Sequence, residues 1–126
     1  MTIFLGVLIT GGYTQDGWLK SAEIYLPAYN SGCSLPELPK KSSSHTQDGN
    51  LACGGAGSSS GKECIKWTNG SWTKSHTLRK ERYAHVSWAT PSGVYLMGGW
   101  VSPTTSELVK ENGSVEESFE LKYETM

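Results

Sequence analysis

Cysteine and histidine are the side chains with the widest chemistry in this sequence, because both bind metals and both serve in nucleophilic catalysis. The chain has three cysteines, Cys33, Cys53 and Cys64. None has another cysteine or a histidine at the short spacing that zinc ligands use. A catalytic histidine needs a nucleophile within hydrogen-bond reach, and none clusters beside His45 or His85. The sequence therefore predicts no metal, no cofactor and no enzymatic activity.

Cys53 and Cys64 flank a glycine-rich loop between two predicted strands. If these strands pair in antiparallel fashion, the two Cα atoms lie within the ~7 Å that a disulfide allows. Two interpretations stay open: a disulfide, if the chain is extracellular, or two buried thiols that act as small hydrophobic groups. Cys33 has no partner under either interpretation.

Two further motifs, at Asn69-Gly70-Ser71 and at Asn112-Gly113-Ser114, match the acceptor pattern for N-glycosylation. Asn-Gly is also the preferred dipeptide of tight hairpin turns. We expect both motifs at exposed turns and favour the turn interpretation, because glycosylation requires a secretory route. Residues 1–10 contain an apolar stretch as long as that of a signal peptide, but no basic residue precedes it and no small-x-small cleavage site follows it. A buried strand is the preferred interpretation there, and both a cytoplasmic and an extracellular location stay open.

Composition narrows the classes of fold and partner. The 11 basic and 12 acidic residues give a net charge of -1, without the basic surface that nucleic-acid binding requires. No apolar run approaches the ~20 residues of a membrane-spanning helix. The 15 glycines, five Trp and six Tyr are typical of short strands joined by many turns. We therefore predict an all-β protein that does not bind nucleic acid and has no membrane span.

The elements that would position these side chains repeat along the chain. Apolar runs that end in diglycine occupy residues 7–12, 51–55 and 94–99, and the first glycines are 43 and 44 residues apart. Hairpin signals lie just before the second and the third of these runs, at Asp48-Gly49 and at residues 91–93. In the middle unit, strands are predicted over residues 44–47, 50–53 and 63–67, with a fourth from Ser71. Each unit reads as a four-stranded antiparallel meander that must stack on its neighbours.

The middle unit carries the clearest pattern, with Gly54-Gly55 followed by Trp67 and Trp72. In this pattern the chain resembles the kelch repeat. The resemblance implies an all-β, partial and open kelch-type β-propeller of about three four-stranded antiparallel blades. Their expected ranges are 6–40, which lacks its inner strand, 42–79 and 82–123. Because propellers use typically four to eight blades, we expect a fragment or an arc that self-associates through its open blade faces.

The resemblance also implies roles for individual side chains. Kelch propellers bind partners through loops that follow the diglycines, and the candidates for such a binding face are Tyr13, Trp18, Ser44, Arg82 and Trp100. Trp67, Trp72 and Tyr25 are expected to pack between blades. His45 and His85 are expected to be structural residues that bond to backbone at the start of the innermost strands.

The expected function is a protein-interaction module that binds a protein partner through these loops. One alternative is a fragment of a propeller enzyme similar to galactose oxidase or to a sugar-modifying kelch protein. Another is a truncated remnant without function.

Overall fold

The computed structural model describes residues 6–57 and 61–122. These described ranges are 50% strand and 3% helix. The all-β prediction is confirmed. Residues 1–5, which begin the apolar N-terminal stretch, and Tyr123, which ends the third expected unit, lie outside the described residues.

The strands are short and follow one another closely along the chain. The first five are β1 (Val7–Thr10), β2 (Tyr13–Thr14), β3 (Gly17–Trp18), β4 (Ala22–Leu26) and β5 (Ser31–Leu35), with a 3-10 helix over Pro27–Tyr29 after β4. The next six are β6 (Ser42–Ser43), β7 (Thr46–Asp48), β8 (Leu51–Cys53), β9 (Ala56–Gly57), β10 (Glu63–Thr68) and β11 (Ser71–Thr77). The last four are β12 (Val86–Thr90), β13 (Gly93–Met97), β14 (Ser106–Val109) and β15 (Val115–Glu117).

These strands form three successive antiparallel sheets. Sheet 1 has the order β1-β4-β5, sheet 2 the order β7-β8-β10-β11, and sheet 3 the order β12-β13-β14-β15. Two small ribbons, β2-β3 and β6-β9, lie in the loops. Across residues 6–57 and 61–122 the pairings do not close into a barrel. Each sheet must therefore bury its apolar side chains against a neighbouring sheet.

Turn chemistry explains where the hairpins reverse. Asn69 and Gly70 have φ values of 49° and 83°, the left-handed pair that a type I′ turn requires. This turn joins β10 to β11 as the sequence predicted. Trp67 and Trp72 face each other across the same hairpin, with ring centroids 5.3 Å apart.

Two predicted boundaries in the middle unit are wrong by one or two residues. Asp48 pairs with Leu51, so the turn consists of the two residues between them and not of Asp48-Gly49. The strand expected from Ser44 begins at Thr46, because Ser44 has a φ of 56°. That left-handed conformation turns the chain before the strand starts.

Sheet 2 lies between the other two sheets. On its sheet 3 side, a buried apolar cluster spans the interface, made of Cys53, Cys64, Leu78, Leu96 and Val109. On its sheet 1 side, Gln47 Nε2 donates to the Leu8 carbonyl at 2.8 Å. Trp72 Nε1 donates to the Pro36 carbonyl at 3.0 Å. Both faces of sheet 2 are thus covered by side chains or backbone of its neighbours.

Tyr25 does not follow the expectation that it packs between sheets. It lies on the side of sheet 1 that faces away from sheet 2, and it is exposed. Its hydroxyl donates to Asn30 Oδ1 at 2.8 Å. The expectation is wrong because, within the described part of the chain, sheet 2 lies on the opposite side of sheet 1.

Candidate interaction surface

The first two diglycines pack against the segments that lead into the following sheets. A Cβ on Gly54 would lie 2.7 Å from His85 Cε1, and one on Gly11 would lie 2.9 Å from His45 Cε1. Both glycines have left-handed φ values, 72° and 60°. A side chain at either position would collide with the segment that leads into the next sheet, so glycine is required there.

His45 and His85 link neighbouring sheets through threonine side chains. His45 Nε2 lies 2.8 Å from Thr10 Oγ1, and His85 Nε2 lies 2.9 Å from Thr46 Oγ1. The Thr10 hydroxyl donates to Gln47 Oε1, so it accepts from His45 Nε2–H. The two histidines are structural, as predicted, and each bonds to a threonine hydroxyl.

Burial keeps both histidines neutral near pH 7. Desolvation lowers the pKa of His45. Desolvation, followed by the nearby positive charge of Arg82, lowers the pKa of His85 to about 4. The neutral imidazole of His45 retains the Nε2–H that donates to Thr10 Oγ1.

Arg82, expected on the exposed binding face, is 1% exposed, and this expectation is wrong. Its Nε donates to Glu107 Oε2 at 2.7 Å, and Glu107 is fully buried on β14. The second oxygen of Glu107 accepts from the Arg79 backbone N–H at 2.7 Å. A buried cation with a paired carboxylate serves the scaffold, because no partner can reach it.

The Arg82 guanidinium also holds the loop that follows the third diglycine. Its Nη1 donates to the carbonyls of Gly98 and Thr105 at 2.9 Å each. Within this loop, the Trp100 backbone N–H donates to the Tyr83 carbonyl at 3.2 Å. The Trp100 side chain is nonetheless 61% exposed. A fixed loop base therefore presents a large aromatic ring to solvent.

The loop after the first diglycine presents a second aromatic site. Tyr13 and Trp18 are paired across the β2-β3 ribbon, and their rings meet edge to face with centroids 5.8 Å apart. Tyr13 is 67% exposed, and Trp18 is also exposed. The ribbon is fixed at its base, where the Leu19 N–H donates to the Gly12 carbonyl at 2.9 Å. Tyr13 and Trp100 each directly follow a diglycine, so they occupy equivalent positions in sheets 1 and 3.

Ser44 lies at the junction between sheets 2 and 3. It is exposed, and its carbonyl accepts from the Ala84 N–H at 2.8 Å. Ser44 and Ala84 both have a φ of 56°, which places them at equivalent turns. Of the five candidates, four are exposed: Tyr13, Trp18, Ser44 and Trp100.

Glu107 is the residue that sequence reasoning missed. The signal was a lone carboxylate within an apolar strand, at Glu107-Leu108-Val109. Buried carboxylates require a partner, and an arginine is a fitting one. The partner could not be chosen from the sequence because it lies 25 residues away.

Cys53 and Cys64 form a disulfide between β8 and β10, with Cα atoms 4.1 Å apart. They stand directly opposite each other in the register, on the face that packs against sheet 3. Cys33 is a free, exposed thiol.

Asn69 and Asn112 both lie at exposed turns. Asn112 Oδ1 accepts from the backbone N–H and from the hydroxyl of Ser114, which is an Asx turn. Each asparagine therefore has a turn-forming role that does not depend on glycosylation.

In the described ranges no three His, Cys, Asp or Glu side chains come together where they could hold a metal ion. None of the helices there is long and apolar enough to cross a membrane. No family model matches this chain, and no curated protein matches it.

Proposed function

We propose that this chain is a kelch-type propeller segment that binds a protein partner through the loops that follow its diglycines. The architectural part of the proposal is supported by the repeat of 43 to 44 residues and by the equivalent contacts of Gly11 and Gly54 with the following unit. The kelch-like spacing of Gly54-Gly55, Trp67 and Trp72 supports the same architecture.

The observation that carries the binding proposal is the exposure of Tyr13, Trp18 and Trp100 on loops whose bases are fixed by hydrogen bonds. Tyrosine and tryptophan are the residues most enriched among binding hot spots. A loop that is already ordered loses little entropy on binding. Exposed aromatic side chains on ordered loops therefore suit recognition of another protein surface.

The test replaces Val101, which is exposed beside Trp100, with a photo-reactive phenylalanine analogue and crosslinks the purified chain in an extract of its source cells. The captured protein is then purified and titrated against Trp100→Ser, Tyr13→Ser and a control, Tyr29→Ser. Tyr29 is exposed but lies on the 3-10 helix, away from these loops. Each loop variant should weaken binding at least ~30-fold, as expected for a hot-spot aromatic, while the control binds normally. Binding that survives both loop substitutions would refute the proposal.

A further inference from the structure

The side of sheet 3 that faces away from sheet 2 carries a continuous apolar surface, here called the tail face. It consists of Val86, Trp88, Tyr95, Met97 and Phe119. Val86 pairs with Met97, and Trp88 pairs with Tyr95, in the β12-β13 register, so these four side chains share one face. Trp88 stacks on Tyr95 with ring centroids 5.7 Å apart. The ring centroids of Phe119 and Tyr95 are 6.1 Å apart. Trp88 is nonetheless 59% exposed.

The opposite end of the molecule carries a second apolar surface, here called the head face. It consists of Val7, Ile9 and Tyr25 on the side of sheet 1 that faces away from sheet 2. Val7 pairs with Tyr25 in the β1-β4 register, and Ile9 lies two residues further along the same face. Ile9 is 46% exposed. Single exposed apolar side chains are ordinary, but adjacent ones on a sheet face mark an interaction site.

The repeat shows what each face is built to contact. The residues directly before the three diglycines are Thr10, Cys53 and Met97. Thr10 bonds to His45 of the next unit, and Cys53 packs in the cluster shared with sheet 3. Met97 occupies the same position, so the tail face is the side of a sheet that contacts a following sheet.

The converse holds for the head face. Ile9, Ala52 and Leu96 occupy the equivalent position one residue earlier. Leu96 packs against sheet 2, which precedes it, and Ala52 is buried beside Leu38, in the segment that follows sheet 1. Ile9 therefore lies on the side of a sheet that contacts a preceding sheet. The head face and the tail face are therefore complementary, because faces of the same two kinds already meet between sheets 1 and 2 and between sheets 2 and 3.

We propose that the tail face of one chain binds the head face of a second copy, in the same orientation in which sheet 1 meets sheet 2 and sheet 2 meets sheet 3. Such a contact is heterologous, since the two copies use different faces. The total accessible surface area of the chain also supports association. The chain exposes 7686 Å², whereas a monomer of 13.7 kDa exposes about 6,600 Å² by the usual scaling. The excess is comparable with the ~800 Å² that each partner buries in a standard interface.

A complementation experiment tests this orientation. Trp88→Glu blocks only the tail face, and Ile9→Glu blocks only the head face. Both side chains are about half exposed, so a carboxylate there replaces solvent-facing apolar surface. Each variant alone should dissociate at least ~30-fold more readily than the unchanged chain. An equimolar mixture should form a one-to-one complex, because it unites an intact head face with an intact tail face.

Analytical ultracentrifugation of the full chain at about 100 µM, a range that detects even micromolar association, gives the readout. Val86→Lys and Val7→Lys provide a second pair for the same two faces should either first variant lose its far-UV circular dichroism. Tyr29→Ser, which lies on neither face, should associate like the unchanged chain. Three results would each overturn the proposal: an unchanged chain that stays monomeric, a mixture that does not associate, and association that only the tail-face variant abolishes, which would mean tail-to-tail pairing. None of these results depends on Trp100 or Tyr13, so the loop-binding proposal stands or falls separately.

Discussion

Replacing Arg82 with methionine tests whether the buried ion pair holds sheet 3 together. The substitution keeps much of the side-chain volume but removes the charge and every guanidinium hydrogen bond. Glu107 then remains fully buried with only the Arg79 backbone N–H as a donor. The carbonyls of Gly98 and Thr105 lose their guanidinium donor as well.

The magnitude follows from these contacts. Removing one partner of a buried ion pair costs about 3–5 kcal/mol, because the other charge stays buried without compensation. Each carbonyl that loses its donor adds up to about 1–3 kcal/mol, reduced where water enters. We expect Arg82→Met to lower the free energy of unfolding by at least about 4 kcal/mol, a large share of the 5–15 kcal/mol of a typical domain.

The assay is urea unfolding followed by tryptophan fluorescence. At an m-value of about 2 kcal/mol/M, the midpoint should fall by roughly 2 M. Arg79→Met is the matched control, because the Arg79 side chain is exposed and lies 3.9 Å from Glu117 at the surface. A surface pair of that kind contributes at most about 1 kcal/mol.

A double-mutant cycle with Glu107→Gln separates the ion pair from the other bonds of Arg82. The double variant buries neither charge, so its loss of stability should be smaller than the sum of the two single losses by about 2 kcal/mol. Equal effects of Arg82→Met and Arg79→Met, or additive single losses in the cycle, would show that the Arg82–Glu107 pair does not stabilise the fold.

Reducing the Cys53–Cys64 disulfide should lower the free energy of unfolding by about 3 kcal/mol, because a short closed loop constrains the unfolded chain; unfolding curves that coincide with and without reductant would contradict this. Burial lowers the pKa of His85 to about 4 in the folded chain, so as the pH falls the unfolded chain binds a proton at this histidine first. The contribution of His85 to the free energy of unfolding should therefore be fully present above about pH 6.5. It should fall by about 3 kcal/mol between there and pH 4. His85→Asn should flatten that pH dependence, and a profile unchanged by the substitution would assign it to other groups. Gly54→Ala should cost at least about 2 kcal/mol more than Gly49→Ala in urea unfolding, because both have left-handed φ values but only the Gly54 Cβ would meet neighbouring atoms; equal losses would mean that the sheets do not meet at this glycine.

The sequence by itself determined the periodic part of this protein. The apolar runs that end in diglycine and the Asn69-Gly70 turn are local signals, and each acts through backbone geometry that a few neighbouring residues decide. They were sufficient for the all-β class and for the β10-β11 hairpin. The close approach of Cys53 and Cys64 followed from the same local reasoning, because a short loop between antiparallel strands leaves little choice of register.

Only the tertiary structure decided which side chains are buried and which are exposed. Arg82 and Trp100 both follow from the sequence as loop residues, yet one is 1% exposed and the other 61%. The difference comes from Glu107, whose carboxylate draws the guanidinium into the interior. Successive side chains along a strand point to opposite faces of the sheet. In stacked sheets both faces are apolar, so the sequence pattern does not show which face contacts a neighbouring sheet. That is why Tyr25 was expected inside and lies outside: burial depends on the position of the next sheet, which residues distant in the chain determine.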